Sequence, residues 1–306
     1  MSVDPPYRDA EVPAFWRALG RTGLVDVHTH FMPDAVLRKV WAYFDAVPGP
    51  AGEPGGWPIT YRTDESTRLG TLRGLGVRHF TSLFYPHKPG MAAWLNDWGT
   101  AFAAAHDDVV HSATFFPEPD ADRYVAEAIE SGARIFKVHL QVGAYDPRDP
   151  LLAPVWRRLA DAAIPVVIHA GSGPLPGPFT GPDPVAAVLD AHPSLHAIFA
   201  HMGAPEYADF MAYAERYEHV HLDTTMAFTP FMERLAAFPL DLLPRLEALR
   251  SKVVLGTDFP NIPYPYARQL QALVELGLGD DWLRAVCVDN AVRLLDLDPS
   301  AFAVAD

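Results

Sequence analysis

The chain has 306 residues and a net charge of −14, from 24 Lys and Arg against 38 Asp and Glu. This excess of acid argues against a nucleic-acid-binding protein, whose affinity rests on many Lys and Arg contacts to phosphate. It also argues against attachment to anionic membrane surfaces. Because 49% of the residues are hydrophobic, we expect a folded chain with a large core rather than a disordered one.

Cys287 is the single cysteine, which excludes an internal disulfide and a metal site built from cysteines. It lies in a short apolar run, so we expect a small core residue. The N-terminal residues lack a basic region followed by an apolar one, which argues against a signal peptide. No apolar run approaches the roughly 18 residues of a membrane span. We therefore expect a soluble, cytoplasmic protein.

Eight short apolar runs, rich in β-branched residues, alternate with helical patterns along the chain. Most of these runs are continuously apolar, which is typical of strands in a parallel sheet that is covered on both faces. The predicted strands are Leu24–His28, Val77–Phe84, Val109–Thr114, Ile135–His139, Pro165–His169, Ala197–His201, Val220–Asp223 and Val253–Gly256.

Helical patterns fill most intervals between these strands. One of them begins with Asp183 as a predicted N-cap and Pro184 at the first helical position. A short helix within residues 1–22 and a helical tail over 280–297 are also expected. The predicted helices between strands are Gly90–His106, Ala121–Ser131, Ala153–Ala162, Pro184–Ala191, Pro205–Tyr217 and Tyr266–Leu276.

Strand–helix alternation repeated eight times predicts an α/β fold, a single (β/α)8 TIM barrel. The alternative is an open doubly wound sheet, which usually carries a glycine-rich fingerprint after its first strand. Here the first strand ends in a His-x-His pair instead, which favours the barrel. We expect one domain over 1–306, with the barrel core at about 22–296. The Pro/Gly-rich stretch 41–62 should lie over the active-site mouth, because βα loops build the catalytic face of a barrel.

Histidines and one aspartate recur where predicted strands end, and the carboxyl ends of barrel strands carry the chemistry. His28 and His30 are two apart in an extended segment, which places both side chains on one face, where they can chelate a divalent cation. His169 and His201 are the last residues of the fifth and sixth predicted strands, and Asp258 follows the eighth. A buried carboxylate is costly there unless it meets a cation or is fully hydrogen-bonded.

These five side chains predict a metal centre. Each of them alone could be a hydrogen-bonded core residue, but five in register with four strand ends favour a shared ion. The set offers imidazole and carboxylate without thiolate, which suits Zn2+ and also Mn2+, Fe2+ or Co2+.

The order of these motifs resembles the amidohydrolase superfamily, and more narrowly its amidohydrolase 2 branch. The motifs are Asp-x-His-x-His (26–30), Phe-Lys-Val-His (136–139), Val-Ile-His-Ala-Gly (167–171), Ala-His-Met-Gly (200–203) and Leu-Gly-Thr-Asp-Phe-Pro (255–260). The branch includes metal-dependent hydrolases of small molecules. It also includes non-oxidative decarboxylases related to aminocarboxymuconate-semialdehyde decarboxylase and γ-resorcylate decarboxylase. The resemblance covers roughly residues 22–296.

The resemblance implies that His28, His30, His169 and Asp258 bind the metal. Asp258 would also handle the proton of a metal-bound water, whose pKa a zinc ion lowers to about 7. His201 would stand beside the metal as an acid/base or substrate-polarising group. Zn2+ is the expected ion, with Mn2+ as the alternative.

Three further residues are expected to contact the substrate, on the basis of the resemblance and of their positions in the sequence. They are Lys137, His139 and Tyr85. Binuclear amidohydrolases use a carboxylated lysine at the end of the fourth strand to bridge two metals. The mononuclear branch commonly has lysine and histidine here without such a bridge, and we expect that arrangement. Tyr85 follows the second strand and should line the pocket. Relatives are often dimers, so a homodimer is an expectation only.

The motifs leave two reactions open. We favour hydrolysis of an amide, ester or lactone in a small molecule, with decarboxylation of a small cyclic or aromatic acid as the alternative. The preference arises because no arginine is placed at a strand end to bind a substrate carboxylate, although Arg62 and Lys88 lie in loops near the expected mouth. A catalytically silent barrel, or a metal-free lactonase of the same branch, would not need the complete ligand set.

Overall fold

The computed structural model describes residues 3–48 and 55–304. Within them, nine short strands alternate with helices, and every pair of neighbouring strands is parallel. The strands are Leu24–Asp26 (β1), Val77–Thr81 (β2), Val109–Val110 (β3), Ser112–Thr114 (β4), Ile135–His139 (β5), Val166–His169 (β6), Ala197–Phe199 (β7), Val220–Asp223 (β8) and Val253–Val254 (β9). They form a sheet β1–β2–β3 and a sheet β4 to β9, both in chain order.

The two sheets make up one eight-stranded barrel. A single residue separates β3 from β4, so these two elements occupy the one strand position that the sequence predicts there. At the other seam, backbone hydrogen bonds join the chain after β1 to the chain after β9. Val27 N donates to Leu255 O (2.9 Å), and His30 N donates to Phe259 O (2.7 Å). The predicted (β/α)8 barrel is therefore confirmed.

The helices surround this barrel, and each of the six helices predicted between strands is present, with ends that differ by two residues at most. The helices are Val12–Ala18 (α1), Asp34–Ala46 (α2), Glu65–Leu75 (α3), Ala92–Ala105 (α4), Ala121–Glu130 (α5), Leu140–Gly143 (α6), Ala153–Asp161 (α7), Pro182–Ala191 (α8), Tyr207–Arg216 (α9), Pro230–Glu233 (α10), Leu243–Ala248 (α11), Ala267–Glu275 (α12), Asp280–Arg284 (α13) and Asn290–Leu294 (α14). The expected N-terminal helix is α1, and the expected tail contains α13, a π-helical turn and α14.

The start of α8 corrects one prediction. Gly181, not Asp183, holds the N-cap position, with φ 96° and ψ 176°, and the helix begins at Pro182. Proline suits a first turn because its ring fixes φ and its missing N–H would have no partner there. Asp183 lies inside the first turn, where its charge still faces the positive end of the helix.

The connection between β1 and β2 contains two helices that the sequence patterns did not predict, α2 and α3. The first residues of the Pro/Gly-rich stretch 41–62 belong to α2, and residues 49–54 lie outside the described residues. Two indole N–H groups of this connection donate to one residue beyond β9. Trp41 reaches the side-chain oxygen of Asn261 (3.0 Å), and Trp57 reaches its carbonyl (2.7 Å). The connection therefore packs beside the carboxyl end of the last strand.

Across the described part of the chain, no helix combines the length and the hydropathy that crossing a bilayer would require. Cys287 is fully buried, as expected for a core residue.

Candidate metal centre

Most of the predicted site residues meet at the carboxyl end of the barrel. Ring centroids lie 5.1 Å apart for His28 and His30, 5.6 Å for His28 and His201, and 4.8 Å for His169 and His201. Asp258 is within hydrogen-bonding distance of His30. Parallel strands bring their carboxyl ends to the same edge, so residues far apart in sequence share one pocket.

His28, His30 and Asp258 form a compact trio of potential ligands. Their ligand atoms all lie within 4.8 Å of one another, and no other such group of three occurs within residues 3–48 and 55–304. Asp258 Oδ1 is 2.8 Å from His30 Nε2 and 3.5 Å from His28 Nε2. The structure therefore brings three of the four predicted ligands together.

The hydrogen bonds behind the two imidazoles assign their tautomers. His28 Nδ1 lies 2.8 Å from Asp223 Oδ2, and His30 Nδ1 lies 2.7 Å from the carbonyl of Leu83. Both partners only accept, so each Nδ1 carries a hydrogen, and Nε2 of each ring is left facing Asp258. Without an ion, His30 Nε2 donates to Asp258 Oδ1. A divalent cation that displaced this hydrogen would meet two Nε2 atoms and one carboxylate oxygen, which is a suitable ligand set.

The charge states also suit a cation. Burial, helped by the nearby charge of Lys137, lowers the pKa of His28 to about 3, so the ring is neutral at pH 7. Burial alone would raise the pKa of Asp258, but the adjacent His30, His28 and His201 outweigh it and hold that pKa well below its usual range. Neutral imidazole and ionised carboxylate are the forms that bind metal.

His169 stands in the pocket wall but outside the trio. Its ring stacks on His139, with centroids 3.8 Å apart and planes at 11°. Its Nε2 lies 3.3 Å from the carbonyl of Gly173, which assigns the hydrogen to Nε2 and the lone pair to Nδ1. Burial lowers the pKa of His169 well below its ordinary value. Its role as a fourth ligand stays a prediction.

His201 follows β7 in a left-handed backbone conformation, with φ 55° and ψ 31°. Its Nδ1 lies 3.1 Å from the carbonyl of Thr225, so its Nε2 carries the lone pair. Burial lowers the pKa of His201, which keeps the ring neutral and able to accept a proton at pH 7. His201 therefore lies beside the trio, and its acid/base role stays a prediction.

Lys137 is buried within the barrel, and its Nζ is 3.2 Å from His28 Nε2. Burial lowers the pKa of Lys137 to about 8, although the charges of Asp223 and Asp258 oppose the shift. Its amino group points at the same nitrogen that would bind a metal. A cation at His28 therefore requires Lys137 to lose its proton or to turn away.

His139 and Tyr85 lie beside His169 and His30, and both side chains can donate a hydrogen bond. His139 Nδ1 accepts from the backbone N–H of Val142 (3.3 Å), which assigns the ring hydrogen to Nε2. The Tyr85 ring lies 4.8 Å from His139 and 5.9 Å from His30. Both residues are half-buried. Their role as substrate contacts stays a prediction.

Asp223 is the residue of this centre that the sequence predictions missed. It is fully buried at the end of β8 and contacts His28 and His201. Burial would raise the pKa of Asp223, but His28, His201 and Lys137 hold it well below its usual range, so the carboxylate is ionised. The available signal was its position, because it closes a predicted strand just as His139 and His169 do.

Gly256 leaves no space for a side chain beside His28. A Cβ there would lie 2.3 Å from Thr225 Oγ1 and 2.8 Å from His28 Cβ. We expect Gly256→Ala to displace His28, to cost about 1–3 kcal/mol of unfolding free energy and to weaken metal binding. Chemical denaturation and metal analysis test this. Gly70→Ala is the control, because nothing lies within 4 Å of that Cβ in helix α3. Equal behaviour of the two variants would contradict the expectation.

The chain matches a protein-family model. The model described as amidohydrolase matches residues 25–297, which is nearly the whole chain. No curated protein matches the chain.

Solved structures share the barrel. An uncharacterized TIM-barrel protein from Bordetella bronchiseptica has a TM-score of 0.68 at 18% identity, over 90% of this chain and 99% of that one. A probable 2-pyrone-4,6-dicarboxylic acid hydrolase from Acinetobacter baumannii has a TM-score of 0.59 at 13% identity, over 90% and 99%. A 5-carboxyvanillate decarboxylase from Novosphingobium aromaticivorans, with bound manganese, has a TM-score of 0.55 at 15% identity, over 91% and 99%. At these identities, the likeness shows the fold.

Proposed function

The chain belongs to the amidohydrolase family, whose enzymes act on small molecules, and from that membership we propose a metal-dependent hydrolase of an amide, ester or lactone. The observation that carries the proposal is the trio of His28, His30 and Asp258. Because Nδ1 of each ring is engaged from behind, an ion that displaced the His30–Asp258 hydrogen bond would meet lone pairs from all three residues. The named structural neighbours include one hydrolase and one decarboxylase, so the shared fold does not choose between these reactions.

His28, His30 and Asp258 would hold the ion, with His169 as the proposed fourth ligand. A bound divalent ion, Zn2+ or Mn2+, would polarise a substrate carbonyl and make a bound water acidic enough to ionise near neutral pH. The manganese in the decarboxylase from Novosphingobium aromaticivorans supports Mn2+ as the alternative to Zn2+.

Two bases of the chain lie beside this position. Asp258 Oδ2 has no hydrogen-bond partner among the described residues, so it is open to take a proton and return it to a leaving group. His201 Nε2 carries a lone pair and can take a second proton or, once protonated, donate to an oxyanion. Such acid–base help is typically worth about 10²–10⁴ in rate. A pair of proton acceptors favours hydrolysis, in which a proton moves from water to a leaving group.

Decarboxylation is the second candidate, because the pocket wall is rich in donors. Lys137, the Nε2–H of His139 and the hydroxyl of Tyr85 could hold a substrate carboxylate. Against this reading, no arginine hydrogen-bonds or forms an ion pair with a residue of the centre within the described part of the chain. Hydrolysis therefore remains the proposal.

Elemental analysis of protein purified without chelator, followed by parallel assays, tests the proposal. We expect about one equivalent of Zn or Mn per chain, and metal-dependent hydrolysis in a panel of aryl esters, anilides and lactones. Carbon dioxide release from hydroxybenzoic acids, without hydrolysis of any substrate in the panel, would show that the protein is a decarboxylase rather than a hydrolase. Two equivalents would place a carboxylated Lys137 between two ions. A chain that takes up neither Zn2+ nor Mn2+ would overturn the metal site.

A further inference from the structure

Asp223 contacts two residues of the proposed site, the metal ligand His28 and the acid/base residue His201. Its Oδ2 accepts from His28 Nδ1 (2.8 Å), and its Oδ1 accepts from the backbone N–H groups of His201 (2.9 Å) and Thr225 (3.0 Å). The residue is 0% exposed, so no water competes for these contacts. The side-chain hydrogen bonds of Asp223 to described residues therefore all go to His28, His201 and Thr225.

The contact to His28 decides which nitrogen of that ring can bind an ion. An ionised carboxylate only accepts, so it keeps the hydrogen on Nδ1 and the lone pair on Nε2. It also raises the electron-donating power of the ring, as carboxylates behind metal-binding histidines do in general. Without an acceptor at this position, His28 is free to adopt the other tautomer.

The contact to His201 acts through the backbone. His201 and Met202 both have positive φ, 55° and 57°, a region that residues with a Cβ rarely adopt. Asp223 Oδ1 accepts the His201 N–H in this conformation and also holds Thr225 N. Thr225 in turn presents its carbonyl to His201 Nδ1. Asp223 thus positions His201 directly, through its backbone N–H, and indirectly, through the Thr225 carbonyl that faces its Nδ1.

We infer that Asp223 is a positioning residue that directs two lone pairs into the pocket, one on His28 Nε2 for the metal and one on His201 Nε2 for proton transfer. The inference rests on the proposed function, because it assigns the metal to His28. It assigns to Asp223 no contact with the substrate.

The isosteric variant Asp223→Asn tests this inference. Two backbone N–H groups need an acceptor, so the amide oxygen should face His201 and Thr225 and the amide NH2 should face His28 Nδ1. His28 would then carry its hydrogen on Nε2, directed at the ion. We expect at least a tenfold loss of Zn2+ or Mn2+ affinity, within the roughly 10–100-fold range of such partners. Titration against a competing chelator measures it.

The matched control is Asp122→Asn. It makes the same change in an ion pair with Arg158, between helices α5 and α7 and away from the proposed site. It should leave metal affinity unchanged. Histidine ¹⁵N spectra of the metal-free proteins supply the second readout. They should show Nδ1–H for His28 in the wild type and Nε2–H in Asp223→Asn, a change that a merely structural role would not produce.

The outcomes separate the two proposals. Wild-type metal binding with unchanged affinity and tautomer in Asp223→Asn would overturn the role of Asp223 alone. A wild type that binds no metal would overturn the proposed function, and the tautomer spectra would still decide the contact of Asp223 with His28. If Asp223→Asn does not fold, an Nε2–H tautomer of His28 in the metal-free wild type would by itself refute the inference.

Discussion

Replacing His28 and His30 together by alanine should abolish metal binding and turnover without unfolding the barrel. The two side chains supply two of the three ligand atoms that lie within 4.8 Å of one another, and Asp258 with the proposed ligand His169 leaves too few donors to hold the ion. We expect metal content to fall from about one equivalent to background. A metal at 100 times its Kd should stabilise the wild type by about 2.7 kcal/mol and the double variant not at all.

The matched control replaces two histidines outside the centre, His106 and His192, which follow helices α4 and α8. This control should keep its metal and its metal-dependent rise in Tm. Elemental analysis and thermal unfolding with and without Zn2+ or Mn2+ measure both effects before any substrate is known. Full metal content in the His28/His30 double variant would place the ion elsewhere and refute the proposed centre.

His201→Asn should lower turnover by about 10²–10⁴ while leaving the metal in place. The amide can still donate to the carbonyl of Thr225, as His201 Nδ1 does now, but it cannot accept a proton. Because the loss concerns proton transfer, we expect kcat to fall and KM to change little. Steady-state kinetics on whichever substrate class responds, together with metal analysis of the same preparation, gives the result.

His139→Asn is the comparison for this prediction. His139 presents a ring N–H rather than a lone pair, so its loss should raise KM more than it lowers kcat. If His201→Asn loses its metal, His201 is a ligand and its assignment as an acid/base group is wrong. An unchanged kcat would leave Asp258 as the only base of the reaction.

The prediction of the barrel succeeded because buried parallel strands have a local signature. The residues of β6 and β7 are all buried, and apart from the terminal His169 each strand reads in the sequence as an apolar run. Strands β5, β6 and β8 end at the predicted residues, whereas β1 ends early at Asp26 and β7 at Phe199. His28, His30 and His201 therefore lie just beyond the ladder, where the backbone can turn a side chain towards the pocket.

The two missed helices show where local patterns are too weak. Helix α3 contains Gly70 and Gly74, and each glycine costs roughly 1 kcal/mol of helix propensity relative to alanine. Helix α2 has only Leu37 buried, so its apolar face is narrow. Packing against the barrel and the Trp41–Asn261 hydrogen bond supplement these propensities, and neither contact can be read from the helix alone.

The sequence by itself determined the fold class, the approximate strand positions and most of the side chains that meet at the carboxyl end, although not Asp223, because these follow from local patterns such as apolar runs and His-x-His. Only the tertiary structure decided which nitrogen of each imidazole faces the pocket. The contacts that set this join His28 to Asp223 across 195 positions and His30 to Leu83 across 53. A tautomer depends on the atom that contacts the other ring nitrogen, and the barrel brings that atom from a different strand.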